Sequence, residues 1–207
     1  MLASLLLVLS ISLDSFIASI AYGTNKIKIP FKSVLIIDII SSLVLGFSLA
    51  LGSIIRDFIP QTIAVTFSFI ILLSLGIYRL FEFLFKDYIL KHSNSNTPLT
   101  FKLFDFKFVM EIYADETKAD FDNSKILSSR EAFYLSLALS LDSLAVGFGS
   151  SLVTINILEI IFICLITGII AISLGVFIGT KFSQKFNFEL SWLSGVLLII
   201  LAFMRIL

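Results

Sequence analysis

Long runs of apolar residues, broken by short polar clusters, dominate the chain from end to end. A bilayer core needs about 20 mostly apolar residues per helix. Six stretches meet that length: Leu2–Tyr22, Ser33–Ile55, Thr62–Phe85, Glu131–Thr154, Ile157–Thr180 and Leu190–Leu207. The breaks carry turn or charge signals, as in Lys26-Ile27-Lys28-Ile29-Pro30, Arg56-Asp57-Phe58-Ile59-Pro60 and the stretch from Lys181 to Asn187. The first run has no basic residues before it and holds Asp14 in its apolar part, so it reads as a permanent helix rather than a cleaved leader. The expected fold class is therefore an all-α membrane protein of six transmembrane helices, with a long loop between the third and the fourth.

The spans repeat. Ser12-Leu13-Asp14-Ser15 in the first recurs as Ser140-Leu141-Asp142-Ser143 in the fourth, 128 residues on. Leu49-Ala50-Leu51-Gly52 aligns with Val176-Phe177-Ile178-Gly179, and Leu75-Gly76-Ile77-Tyr78-Arg79-Leu80 with Leu201-Ala202-Phe203-Met204-Arg205-Ile206. An odd number of helices per half makes the second half enter from the opposite face. The pattern predicts two inverted three-helix repeats, residues 1–85 and 131–207, joined by a charged loop at 86–130, with a site between the halves near the midplane. Lys26, Lys28 and Lys32 in the first loop and Lys181 and Lys185 in the fifth place those loops, and the long one with them, on the cytoplasmic side, with both termini outward.

Composition agrees with a lipid solvent. Of 207 residues, 58% are hydrophobic and 14% charged, and the mean hydropathy is +1.05. A soluble domain carries about 25% charged residues. The formal net charge of zero offers no basic surface for nucleic acid. Cys164 stands alone in an apolar run and reads as a small buried hydrophobe. Phe101–Ile112 alternates in part and suits strands or a membrane-surface segment, and His92 reads as a solvated loop residue.

Against this background the intramembrane acids stand out. Asp14 and Asp142 lie near the middle of their spans, where a charge costs at least about 2.5–3.5 kcal/mol and needs a partner or a wet cavity. The repeat brings them toward one axis, and two carboxylates with the hydroxyls of Ser15 and Ser143 suit a hard divalent cation. Small residues every fourth position, Ser15, Ser19, Gly23 and Ser143, Gly147, Ser151, with Gly175 and Gly179, favour close helix packing. Asp38 in the second span reads equally as a proton relay or ligand and as an interfacial partner of Lys32. Arg79 and Arg205 are expected to snorkel to the interface, where Trp192 is an anchor.

A second metal candidate lies in the loop. From Asp120 to Glu131 the spacing fits an EF-hand: Asp120, Asp122 and Ser124 at positions 1, 3 and 5, the Ile126 carbonyl at 7, Ser128 at 9 and Glu131 at 12. Lys125 stands where glycine is expected. The same Ser128-x-x-Glu131 is a capping box that starts the fourth helix.

The paired Ser-Leu-Asp-Ser motifs, six spans and long central loop resemble the MntP-type manganese efflux pumps over nearly all of the membrane part. The acidic stretch Ala119-Asp120-Phe121-Asp122-Asn123-Ser124-Lys125-Ile126 before Glu131-Ala132 resembles a branch of that family, the sporulation membrane protein YtaF. The resemblance implies export of Mn2+ across a bacterial cell membrane, with Asp14 and Asp142 at the family's repeated acidic positions. The second-helix acid of the pumps is expected near Ser41, whereas this chain has Asp38. No enzyme and no cofactor is implied; the partners are a divalent ion, the lipid bilayer and a second copy of the chain. The alternative is a non-transporting membrane protein of sporulation whose loop binds calcium or a protein partner. An intramembrane aspartyl hydrolase is the remotest reading, because Leu13 and Leu141 precede the aspartates where such proteases have glycine.

Overall fold

The computed structural model describes residues 2–81, 109, 111–113, 115–181 and 191–204. Within them the chain is helical: α1 (Leu2–Thr24), α2 (Phe31–Arg56), α3 (Gln61–Leu80), a 3-10 turn (Glu116–Ala119), α4 (Ser129–Ser151), α5 (Ile157–Lys181) and α6 (Ser191–Met204). Five of these, α1 to α5, are long and apolar enough to cross a membrane, and α6 is a shorter apolar helix. The expected continuations to Phe85 and Leu207, most of Phe101–Ile112, His92, Arg205 and the Trp192 side chain lie outside the described residues. Ile112 itself is helical and fully buried.

Local chemistry sets the helix ends. Pro30 and Pro60 cap α2 and α3 in extended conformation, with φ near the value proline imposes. Ser128 caps α4: its hydroxyl accepts the Glu131 N–H, and the Glu131 carboxylate takes the Ser128 N–H at 2.7 Å. The capping box is thus formed as the spacing implied.

The distribution of side chains is that of a protein dissolved in lipid. On α5, Leu158, Phe162, Ile166, Ile170, Leu174 and Phe177 form an exposed stripe, while Ile160, Cys164, Gly168, Ile172, Gly175 and Gly179 face inward. Serines are buried throughout, among them Ser10, Ser42, Ser68, Ser136 and Ser150. Small and weakly polar residues inside, with large apolar ones outside, are what helix association in hydrocarbon requires.

α1 packs chiefly on α5, α2 on α4 and α3 on α6. Backbone contact drives the first pair: a Cβ on Gly23 would lie 2.8 Å from the Gly179 Cα. At the aligned positions of the repeat, a Cβ on Gly52 would collide with the Ser151 hydroxyl. One buried apolar cluster gathers Leu7, Ile11, Leu45, Leu49, Leu72 and Val146, and a second gathers Tyr22, Ile37, Ile112, Leu127, Ala138 and Ile172. Asp14, Asp38 and Asp142 fall between the two along their helices.

Candidate metal centre

Among the described residues, the cation at the middle of the bundle is Arg79. Its side chain is 7% exposed, and a single terminal nitrogen, Nη2, donates both to Asp14 Oδ2 and to Asp142 Oδ2, the latter at 2.6 Å. Asp14 comes from α1, Asp142 from α4 and Arg79 from the last turn of α3. The two carboxylates are 10% and 17% exposed.

This corrects the expectation that Arg79 snorkels to the interface. Snorkelling is favoured when the head group has no counter-charge inside. Here two carboxylates lie within reach, and a guanidinium with five donors satisfies both without leaving the bundle. The signal was present in the sequence: two acids buried in low dielectric call for a cation, and Arg79 is the sole basic residue of α3.

Two tyrosines join the group. The Tyr113 hydroxyl donates to Asp142 Oδ1 at 3.1 Å and lies 3.2 Å from the Tyr78 hydroxyl. Tyr78 comes from α3, and Tyr113 from a short helical piece of the central loop. The loop therefore reaches the membrane site, which no periodicity in the sequence indicated.

Ser15 is half-buried and Ser143 buried, each one residue after its aspartate. Neighbours on a helix project about 100° apart, so an aspartate and the following serine do not share a face. The Ser15 carbonyl accepts from Ser19 Oγ at 2.6 Å, a bond within the α1 packing row.

Asp38 stands apart from the pair. It is 4% exposed and abuts Gly168 of α5, where an added Cβ would fall on Oδ1. Ser42 and Cys164 are its polar neighbours on that interface. Lys32 is exposed, and no ion pair joins it to Asp38 among the described residues, so their pairing at the interface is not found.

The loop candidates divide. Asp120, Asp122 and Glu131 present carboxylate oxygens within 4.8 Å of one another. Ser124 Oγ instead donates to the Ile126 carbonyl at 3.0 Å, and Ser128 Oγ is occupied in the α4 cap. The Ser124 hydroxyl and backbone N–H beside Asp122 hold its carboxyl below the usual carboxylate range. Lys125 adopts φ 62°, the left-handed conformation that glycine would take without cost.

The sequence pattern that defines the family described as Mntp, putative manganese efflux pump, matches residues 83–207, more than half of the chain. The chain is 31% identical to the probable sporulation protein YtaF of Bacillus subtilis, across 96% of each chain. It is 29% identical to the putative manganese efflux pump MntP of Methanosphaera stadtmanae, covering 98% of this chain and 97% of that protein. A third relative, the putative manganese efflux pump MntP of Aliarcobacter butzleri, is 26% identical over 97% of this chain and 96% of its own. No solved structure matches.

Proposed function

The chain belongs to the Mntp family, and from that premise we propose that it is an integral membrane carrier that exports Mn2+ on a pair of repeat-related aspartates. One observation carries the reading: Asp14 and Asp142, far apart in sequence, meet on the same guanidinium nitrogen in the interior. With Arg79 in place the trio bears one net negative charge, since arginine stays protonated. Mn2+ takes the position between the carboxylates that the guanidinium now fills, and Arg79 swings aside. Ser15 and Ser143, which do not share their aspartates' helix faces, line the approach to the ion rather than its shell, and Asp38 relays protons along the path between α2 and α5. The hard, oxygen-rich set suits Mn2+ over softer metals.

The carrier is built from two inverted three-helix repeats, 1–85 and 131–207, with the loop 86–130 on the cytoplasmic side and both termini outward. The packing supports this: α1 on α5 and α2 on α4 are the same contact exchanged between halves, and Gly23–Gly179 corresponds to Ser151–Gly52. Export then draws on the membrane potential or an ion gradient, worth about 2.3 kcal/mol per charge per 100 mV. A non-transporting role in sporulation is the less favoured reading, because the family description and two of the three relatives above name manganese efflux.

The test is Mn2+ flux in proteoliposomes holding the full chain, with Mg2+ and Ca2+ as controls. Flux that is lost in both Asp14→Asn and Asp142→Asn supports the mechanism. A wild-type protein that moves no Mn2+ under either an imposed potential or a proton gradient overturns it.

A further inference from the structure

Outside the membrane site, two buried acids, Asp120 ahead of α4 and Glu131 in its first turn, have no cationic partner among the described residues. Asp120 is 5% exposed and Glu131 fully buried. Each has one oxygen held by a backbone donor: Asp120 Oδ2 by the Lys125 N–H at 3.2 Å, Glu131 Oε2 by the Ser128 N–H at 2.7 Å. The other oxygen of each, Asp120 Oδ1 and Glu131 Oε1, is buried with no hydrogen-bond partner among the described residues. No Lys or Arg forms an ion pair with either of them, or with Asp122, among the described residues. Two buried carboxylates without a counter-charge are unfavourable, and near a third acid more so.

We infer that Asp120, Asp122 and Glu131 form a binding site for a hard divalent cation, separate from the transport site. The spacing fits an ion. Two oxygens bound to one Ca2+ at about 2.4 Å lie at most about 4.8 Å apart. The three carboxylate oxygens lie within 4.8 Å of one another. They are positions 1, 3 and 12 of the EF-hand-like spacing, the places that carry acids. Carboxylates without imidazole or thiolate select Ca2+, Mg2+ or Mn2+ rather than zinc or copper. Asp122 is exposed, which leaves one side open for the waters that complete the shell.

Occupancy has a structural consequence. The ion ties the segment at Asp120–Asp122 to the first turn of α4. That segment is already seated on the first helices: the Tyr22 hydroxyl donates to the Glu116 carbonyl at 2.5 Å, the Lys28 N–H to the Lys125 carbonyl at 2.8 Å, and Ser33 Oγ to the Leu127 carbonyl at 2.7 Å. A few residues upstream, Tyr113 touches Asp142. Filling the loop site therefore steadies the piece of loop that reaches the aspartate pair, a route by which ion level regulates transport.

The experiment uses the full chain in lipid nanodiscs, on the Asp14→Asn/Asp142→Asn background that removes the proposed cargo carboxylates. Equilibrium binding is measured with Ca2+ alone and with Mn2+ alone. The expected result is about one ion per chain, with affinity at least about tenfold weaker in Asp122→Ala. Because Asp122 is exposed, that variant keeps the fold, checked by circular dichroism; Glu131→Gln, which retains the cap acceptor, is the second variant. Binding of Ca2+ alone marks a calcium-responsive loop, and binding of Mn2+ marks a cargo sensor; either supports the site. Failure of both ions to bind at about 1 mM, or an affinity unchanged by both substitutions, overturns it.

Discussion

Arg79 Nη2 lies 2.6 Å from Asp142 Oδ2, joining the end of α3 to the middle of α4 inside the bundle. The same nitrogen holds Asp14, so one side chain answers both aspartates of the repeated motif. The polar centre therefore behaves as a unit, and substitutions within it are expected to be strongly non-additive.

Arg79→Ala removes the guanidinium that both buried carboxylates share. Breaking such a group by removing one partner costs about 3–5 kcal/mol. The metal-free variant should melt well below wild type, and Mn2+ should restore more stability to it than to wild type, because the ion no longer competes with the guanidinium. Thermal unfolding with and without Mn2+ checks this. Equal Mn2+-induced shifts in both proteins would argue against displacement of Arg79 by the ion.

In cells lacking their own exporter, Asp142→Asn should abolish manganese tolerance while leaving expression intact, and Asp14→Asn should do the same. Growth at graded Mn2+ reads the outcome. Full protection by either variant would remove the paired-carboxylate mechanism.

Tyr113→Phe removes one donor to a charged acceptor and the Tyr78 contact. Hydrogen bonds to charged groups contribute about 1.5–3 kcal/mol. Amide exchange in residues 111–119 should quicken, with the helices of the bundle unaffected. Unchanged protection there would show that the Tyr113 hydroxyl does not seat the loop.

Gly168→Ala sets a methyl group onto Asp38 Oδ1, whereas Gly46→Ala meets only the end of the Ile161 side chain, Cδ1 at 2.9 Å. Ile161 can turn away; Asp38 is held between α2 and α5. Overpacking of the first kind costs about 1–3 kcal/mol. Thermal stability of the two variants should rank Gly46→Ala above Gly168→Ala.

Lys125→Gly relieves a left-handed residue, which costs a side chain roughly 1–2 kcal/mol. Part of that gain is lost to the greater freedom of glycine in the unfolded chain. The loop should gain stability and bind Ca2+ or Mn2+ more tightly, measured in the binding experiment above. A weakened loop would mean that the Lys125 side chain itself holds the segment in place.

Much of this was legible along the chain. Asp14 and Asp142 were conspicuous because a charge within twenty apolar residues has no bland explanation. The Ser128–Glu131 box and the small-residue rows were legible because both depend on spacing within one helix. Arg79 was misjudged because a basic residue near a helix end has two low-energy destinations, the interface and the interior, and only the neighbours choose between them. Tyr113 was missed because its segment has no period to read. Asp38 looked ambiguous for the same reason as Arg79, and the close approach of Gly168 decided for burial.

The sequence by itself determined the solvent and the elements: apolar runs of membrane length, their breaks, the repeat and the two acids that cannot be left bare in hydrocarbon. These follow from local composition and the length of one helix. Tertiary structure decided the company those acids keep, namely a shared guanidinium, a tyrosine from the central loop and, at the loop itself, three carboxylates brought within reach of one ion. The guanidinium and tyrosine pairings join residues dozens of positions apart, and helix packing, which no local pattern encodes, sets which of them meet; the three loop carboxylates lie within twelve residues, and their spacing was already legible.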